Sequence, residues 1–376
     1  SLELQKAKSK KEEASWKKMQ SYVGFLPTVT GSVSYISTQR FMFVNVPGFP
    51  PIPQIYPTSD IILQASLPLF DGFASTHRYL AGSRYEDAAE KNYDWSKFTL
   101  ERQIVLQYYK ALGSQILKEV AEQNSKTLED HAKDVSLSRK AGVSTSYDVL
   151  RVDVQKSEAQ SEILNATDNI EAARNKLAEL MGKESETREL SGKLPVLDVS
   201  LADKAQLENV VHRGDLAALN DQTEAMRHED SATSRFWVPH IALVGQYQYY
   251  NNLTKGWGDH TDYRDAYQIG FSLTWNIFDG MYSIGKAGQA SEEYFQAQKN
   301  LQLTKIKARQ DFDFWKRKFK YFAVVYRARV SDVEKATESV RLAREGRRAG
   351  VRTNTDLLDA ELELFHARAG VVNAQV

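Results

Sequence analysis

The side chains best placed to do electrostatic work are three aspartates and an arginine, gathered at two similar stretches. Gly142 to Leu150 reads Gly-Val-Ser-Thr-Ser-Tyr-Asp-Val-Leu, and Gly350 to Leu358 reads Gly-Val-Arg-Thr-Asn-Thr-Asp-Leu-Leu. Asp148 stands three residues after Thr145, and Asp356 three after Thr353. A Thr followed at that distance by an acid is a helix-opening capping arrangement. An acid in the first turn also suits the helix dipole. Asp359 lies one turn deeper, on the same side as Asp356, where capping gives it no role. Arg352 immediately precedes Thr353.

Other chemistry is sparse. His77, His131, His212, His228, His240, His260 and His366 are scattered, none at metal-ligand spacing from another, and read as solvated or loop residues. His366, seven residues after Asp359, is a poor metal candidate. The glycines form no phosphate-binding loop, no nucleophile stands in a catalytic context, and neither an enzyme nor a cofactor is expected. The 376 residues carry 49 Lys+Arg against 49 Asp+Glu. That balance lacks the basic footprint that nucleic acid requires. Cysteine is absent, which excludes disulfides and thiolate metal sites. No apolar run is long enough for a transmembrane helix, but a transmembrane β-strand needs only about ten alternating residues.

The two stretches lie 208 residues apart (350 − 142), and the same offset carries Leu69-Phe70-Asp71-Gly72 onto Ile277-Phe278-Asp279-Gly280. Phe25 to Val29 matches Trp237 to Ile241 at 212 (239 − 27 for the prolines). The chain is therefore read as an internal duplication: a first repeat over 1–182, a linker over 183–200 and a second repeat over 201–376.

Each repeat opens with a helix, to about residue 24 and over about 203–235 with an interruption near Gly214. Two strands of alternating residues follow, about 27–36 and 61–70, then 239–250 and 267–277. Between the first pair, residues 37–60 hold Pro47, Pro50, Pro51, Pro53 and Pro57, which read as a long loop without helix or sheet. A polar loop, Asn251 to Asp265, joins the second pair. Long helices are expected over 75–138, 145–181, 283–348 and 353–376. The first would span roughly 95 Å. Residue 1 falls inside a helical pattern, and Val376 corresponds by the offset to Asp168, so the chain reads as trimmed at both ends.

Each strand has one apolar face and one of small uncharged polar residues. A soluble sandwich would alternate too, but tyrosine and Trp gather on the apolar face (Tyr35, Tyr247, Tyr249, Tyr267, Trp275), as an interfacial girdle requires. Lipid tolerates no unpaired strand edge, and four strands are too few to close a barrel that needs about eight. Oligomerisation is expected from that alone. The long helices, with apolar residues at three- and four-residue steps, must pack on each other or on neighbouring subunits.

The paired Pro27 and Pro239, the paired Phe-Asp-Gly turns and the paired Ala-Gly-Val turns at Ala141 and Ala349 together resemble the outer-membrane efflux protein family, the TolC-like channels. The resemblance covers nearly the whole chain. It implies a mixed membrane protein, a homotrimer in which each protomer gives four strands to a twelve-stranded β-barrel and its long antiparallel helices to a periplasmic α-barrel. It implies location in the outer membrane with extension into the periplasm, and a passive exit duct of a tripartite efflux or type I secretion system. A periplasmic adaptor protein and an inner-membrane pump would be its partners, and small molecules or proteins its cargo. Gly142, Val143, Gly350 and Val351 would mark the helix tips where the adaptor docks. Asp356 and Asp359 match the family's constriction acids, and Arg352, Asp148 and Tyr147 its gate latch. Tyr147 replaces a smaller hydroxyl residue, and Arg347 stands where one member has a gate tyrosine. Repeated around a narrow axis, such acids form the kind of charged ring that selects cations. Capping explains Asp148 and Asp356 equally well. A non-conducting coiled-coil scaffold would account for the helices, but not for aromatic alternation in four strands.

Overall fold

In the computed structural model, all residues are described except 38–41, 55, 56, 58, 187, 189, 206–209, 211 and 252–262. The chain divides into two compact units. One comprises Lys10–Lys91 and Ala217–Leu303, the other Ser1–Ser9, Asn92–Leu216 and Thr304–Val376. Each draws on both halves of the duplicated sequence.

The first unit is built on a four-stranded antiparallel sheet in the order β1-β4-β5-β6, with β1 at Thr28–Tyr35, β4 at Ser59–Phe70, β5 at His240–Asn251 and β6 at Arg264–Thr274. The central β4–β5 pairing joins the two sequence repeats. Register keeps the apolar residues on one face in continuous rows. Val33 pairs with Ile61, Ile61 with Tyr249, Leu63 with Tyr247 and Tyr247 with Tyr267. A one-residue slip would turn every one of them over. The opposite face carries rows of amides and hydroxyls, such as Thr30, Gln64, Gln246 and Gln268, the last donating from Nε2 to Gln246 Oε1 at 3.2 Å. On β6, Tyr267, Ile269 and Phe271 are 76–78% exposed, so among the described residues that part of the apolar face lies open, while Tyr263 stacks on Tyr249 of β5 at 4.8 Å. Among the described residues, the outer edges of β1 and β6 are unpaired.

Where β4 and the segment after β6 turn into helices, the two repeats use one device. Asp71 Oδ2 accepts from Ser75 N and Oγ at 2.7 and 2.5 Å, and Asp279 Oδ2 accepts from Ser283 at 3.1 and 2.5 Å. Gly72 and Phe73 have φ of 68° and 66°, Gly280 and Met281 69° and 72°. The carboxylate satisfies helix-start donors, while two consecutive left-handed residues swing the chain from strand to helix. A Cβ on Gly72 would lie 2.9 Å from the Val238 side chain, whereas one on Gly280 meets nothing within 4 Å.

The turns lead into α2, Ala74–Lys140, and α6, Tyr282–Arg348; α3 is Ser146–Met181 and α7 Asn354–Gln375. Shorter helices are α1 at Leu2–Gln20, α4 at Ser200–Lys204 and α5 at Gly214–Thr233. In the second unit the core is thin and rich in small residues. Ala111, Leu112, Ala173, Leu177, Leu190, Leu194 and Val372 form one cluster. Leu128, Val135, Val152, Ala159 and Leu358 form another, seating both α3 and α7 on α2.

Several expectations need correction. The proline-rich segment is not sheetless: β2, Met42–Val44, pairs with β3, Ile52–Gln54, and Pro53 lies opposite Phe43. A two-stranded ribbon is all edge, where a missing N–H is tolerated. Gly214 opens α5, and residues 206–209 and 211 of the helix expected before it lie outside the described residues. Strand β6 stops at Thr274, opposite His240, because Pro239 ends the partner strand. Most of the expected 251–265 loop lies outside the described residues, and Arg264 and Asp265 belong to β6.

The histidines are not all solvated. His77 on α2 and His228 on α5 face each other, Nδ1 to Nδ1, at 3.2 Å. Arg235 donates to His77 Nε2 at 3.1 Å and to the Gly72 carbonyl at 2.8 Å. Since arginine cannot accept, His77 keeps its proton on Nδ1 and donates it to His228. Burial lowers both pKa values from the ordinary 6.5, assisted by Arg235 at His77 and by Arg227 at His228.

Two predictions follow from these contacts. The lowered histidine pKa values mean that the unfolded chain binds protons first. The joint's stabilisation is complete above pH 6.5 and declines as pH falls through the lower folded values. His228→Gln should flatten this decline in unfolding midpoint between pH 7 and 5; an unchanged slope would assign the acid sensitivity elsewhere. Second, Gly280→Ala should destabilise by about 1 kcal/mol for its left-handed backbone, and Gly72→Ala by clearly more, as compared by denaturant titration. Equal losses would show that Val238 yields freely.

Candidate functional site

The second unit holds both helix tips, and they are built alike. Gly142 and Gly350 have φ of 76° and 75°. Gly142 N donates to Arg139 O at 2.9 Å and Val143 N to Ser138 O at 2.9 Å; Gly350 N donates to Arg347 O at 3.1 Å and Val351 N to Gly346 O at 2.9 Å. Each is a glycine-terminated helix end with its last carbonyls satisfied. Val143 and Val351, the next residues, are 81% and 78% exposed. Thr145 and Thr353 then open α3 and α7.

At both openings the capping box is complete. Asp148 Oδ2 accepts from Thr145 N and Oγ1, each at 2.8 Å, and Asp148 N donates back to Thr145 Oγ1 at 3.2 Å. Asp356 repeats the set with Thr353 at 2.8, 2.9 and 3.1 Å. These bonds hold both carboxyls below the usual range, the backbone N–H of the threonine contributing most. Both acids are therefore fixed charges at neutral pH.

Asp359 is differently employed. Its Oδ1 accepts from Arg151 Nη2 of α3 at 2.7 Å, and both side chains remain partly exposed. Among the described residues no hydrogen bond or ion pair joins Arg352 to Asp148. The Arg352 stem instead lies over Gly346, where an added Cβ would come within 2.5 Å of its Cγ, and its charge adds to the lowering at Asp356. Tyr147 is exposed. The two tips are tied by Asn354, whose Nδ2 donates to Ser144 Oγ at 2.8 Å. Arg347 donates to Asn354 Oδ1 at 3.2 Å and to Asp134 Oδ2 on α2 at 3.0 Å.

Sequence reasoning missed Arg151, Asp134 and a buried group below them. His131 on α2, read above as solvated, is buried, with Nδ1 3.4 Å from Glu361 Oε2 of α7, and Arg344 Nη2 reaches Glu361 Oε1 at 3.3 Å. The one available signal was the offset: Arg151 and Asp359 occupy the same place in the two repeats (359 − 151 = 208), with opposite charge. The arrangement offers fixed carboxylates and breakable ion pairs at a helix tip. It can attract ions and hold helices together.

The family model described as outer membrane efflux protein matches residues 1–183 and 209–376. The chain is 25% identical over 237 residues to the proteases secretion protein PrtF of Dickeya chrysanthemi, covering 61% of this chain and 50% of that protein. It is 24% identical over 320 residues to the alkaline protease secretion protein AprF of Pseudomonas aeruginosa, covering 81% and 64%. The chain thus spans half to just under two thirds of these relatives' length. The crystal structure of the outer membrane protein VceC from Vibrio cholerae matches all of this chain and 89% of that one, with a TM-score of 0.83 at 17% identity. Long helices with a four-stranded sheet are the fold they share. The chain belongs to the outer membrane efflux protein family: it is an outer-membrane protein with a periplasmic extension, and not an enzyme.

Proposed function

We propose that three copies of this chain form a passive exit duct across the outer membrane, gated at the helix tips of α2–α3 and α6–α7. The sheet carries this reading: four antiparallel strands with one apolar face and, among the described residues, two unpaired edges. In lipid an open strand edge leaves several kcal/mol of unmet hydrogen bonding per group. Four strands cannot curl into a cylinder with a packed or open interior, so the edges are closed by further copies. Twelve strands from three chains would place the apolar rows on lipid and the Thr30–Gln268 rows in the lumen.

The names of PrtF and AprF favour type I secretion of proteins over small-molecule efflux as the duty. An inner-membrane pump supplies the energy, and a periplasmic adaptor docks on the turns at Gly142, Val143, Gly350 and Val351, whose exposed valines suit an apolar partner. At the constriction Asp356 and Asp359 form a negative ring. The Arg352 guanidinium reaches Asp148 of a neighbouring copy to close the gate, with Tyr147 beside it. Opening is a population shift driven by adaptor contacts.

Arg352→Ser combined with Asp148→Ala should raise single-channel conductance of the detergent-extracted oligomer several-fold in planar bilayers, because three latches are lost at once. Unchanged conductance would remove these residues from the latch. A silent bilayer from folded, inserted oligomer, even with the latch removed, would instead favour a scaffold.

A further inference from the structure

The duplication places like residues in α3 and α7 at one position and unlike residues at the next. Asp148 and Asp356 are both acids and both spent on their own capping boxes. One turn on, the repeats diverge to Arg151 and Asp359, and these two join across 208 residues at 2.7 Å. Asp359 has no capping task, and among the described residues Arg151 is its one bonded partner. Beneath the pair, Val152 and Leu358, the next residue after Arg151 and the one before Asp359, share an apolar cluster with Leu128 and Val135 of α2. Packing therefore seats the two helices, while the ion pair lies on their wetter rim.

An exposed pair of this kind contributes little to stability and is readily broken. Its larger effect is on where charge appears. While bonded, the Arg151 guanidinium cancels the Asp359 carboxylate for any ion passing at more than a few ångströms. When α3 and α7 separate, Arg151 leaves with its own helix.

We infer that Arg151 is a selectivity-determining residue: it masks Asp359 while α3 and α7 are together and uncovers that carboxylate to the conduit when they part. The inference rests on the reading that these helices line the constriction. It makes the Asp359 share of cation preference a property of the open tip, and it assigns Asp356, fixed by its cap, the share that is present in both states.

The test is the reversal potential of the full-chain oligomer in planar bilayers under a KCl gradient. Arg151→Gln should raise the cation-to-anion permeability ratio about threefold by leaving Asp359 unmasked. Asp359→Asn should abolish that increase, so that the double variant matches Asp359→Asn alone. The exchanged pair, Arg151→Asp with Asp359→Arg, should return the ratio towards the original. Unfolding midpoints of the variants should agree closely, separating an electrostatic effect from a structural one. If Arg151→Gln leaves the ratio unaltered while Asp356→Asn lowers it, the constriction reading stands and the masking role is refuted. If neither Asp356→Asn nor Asp359→Asn moves the ratio, or no variant conducts even with Arg352→Ser and Asp148→Ala added, the conduit reading at this tip fails and the inference with it.

Discussion

Everything in this chain depends on how its backbone hydrogen bonds are met beside lipid. Among the described residues, the strands β1, β4, β5 and β6 pair with one another through three interfaces and leave two edges open. Among the described residues the apolar side chains of β6 stand largely exposed. In water such a sheet would be an aggregation template; in a bilayer it demands closure. On the proposed reading, membrane location and assembly with further copies are one requirement seen from two sides.

The second constraint is the passage from strand to helix and from helix to helix. Each passage leaves orphan donors or acceptors, and the duplicated chain meets them twice with the same chemistry. Asp71 and Asp279 cap α2 and α6, and Asp148 and Asp356 cap α3 and α7. Four acids are thus held in fixed places by capping, Asp148 and Asp356 with their charges still at the helix tips. That is why Asp359, free of such duty, and its partner Arg151 stand apart from the acids around them.

Much of this was legible in the sequence because it is local or periodic. Alternation marked the four strands, and parity survived into the register, Leu63 against Tyr247 and Tyr247 against Tyr267. The Thr-to-Asp spacings named both capping boxes, and Gly142 and Gly350 named the tips. What escaped notice required the third dimension. The His77–His228 joint, buried His131 with Glu361, and Arg151 with Asp359 each link residues more than 140 apart, so local spacing holds no trace of them. Pro53 was misleading for a different reason: proline excludes the interior of a sheet but not a ribbon made only of edges.

The most direct measurement is cross-linking between the two open edges in native membranes, in a chain that has no cysteine of its own. Val33→Cys on β1 would be combined in turn with single cysteines at Tyr267, Ile269, Phe271 and Leu273 on β6, then oxidised. Closure by three copies predicts a covalent ladder that ends at the trimer, strongest at one register. Cross-linking confined within single chains, or a ladder that ends at the dimer or runs on beyond three, would contradict it.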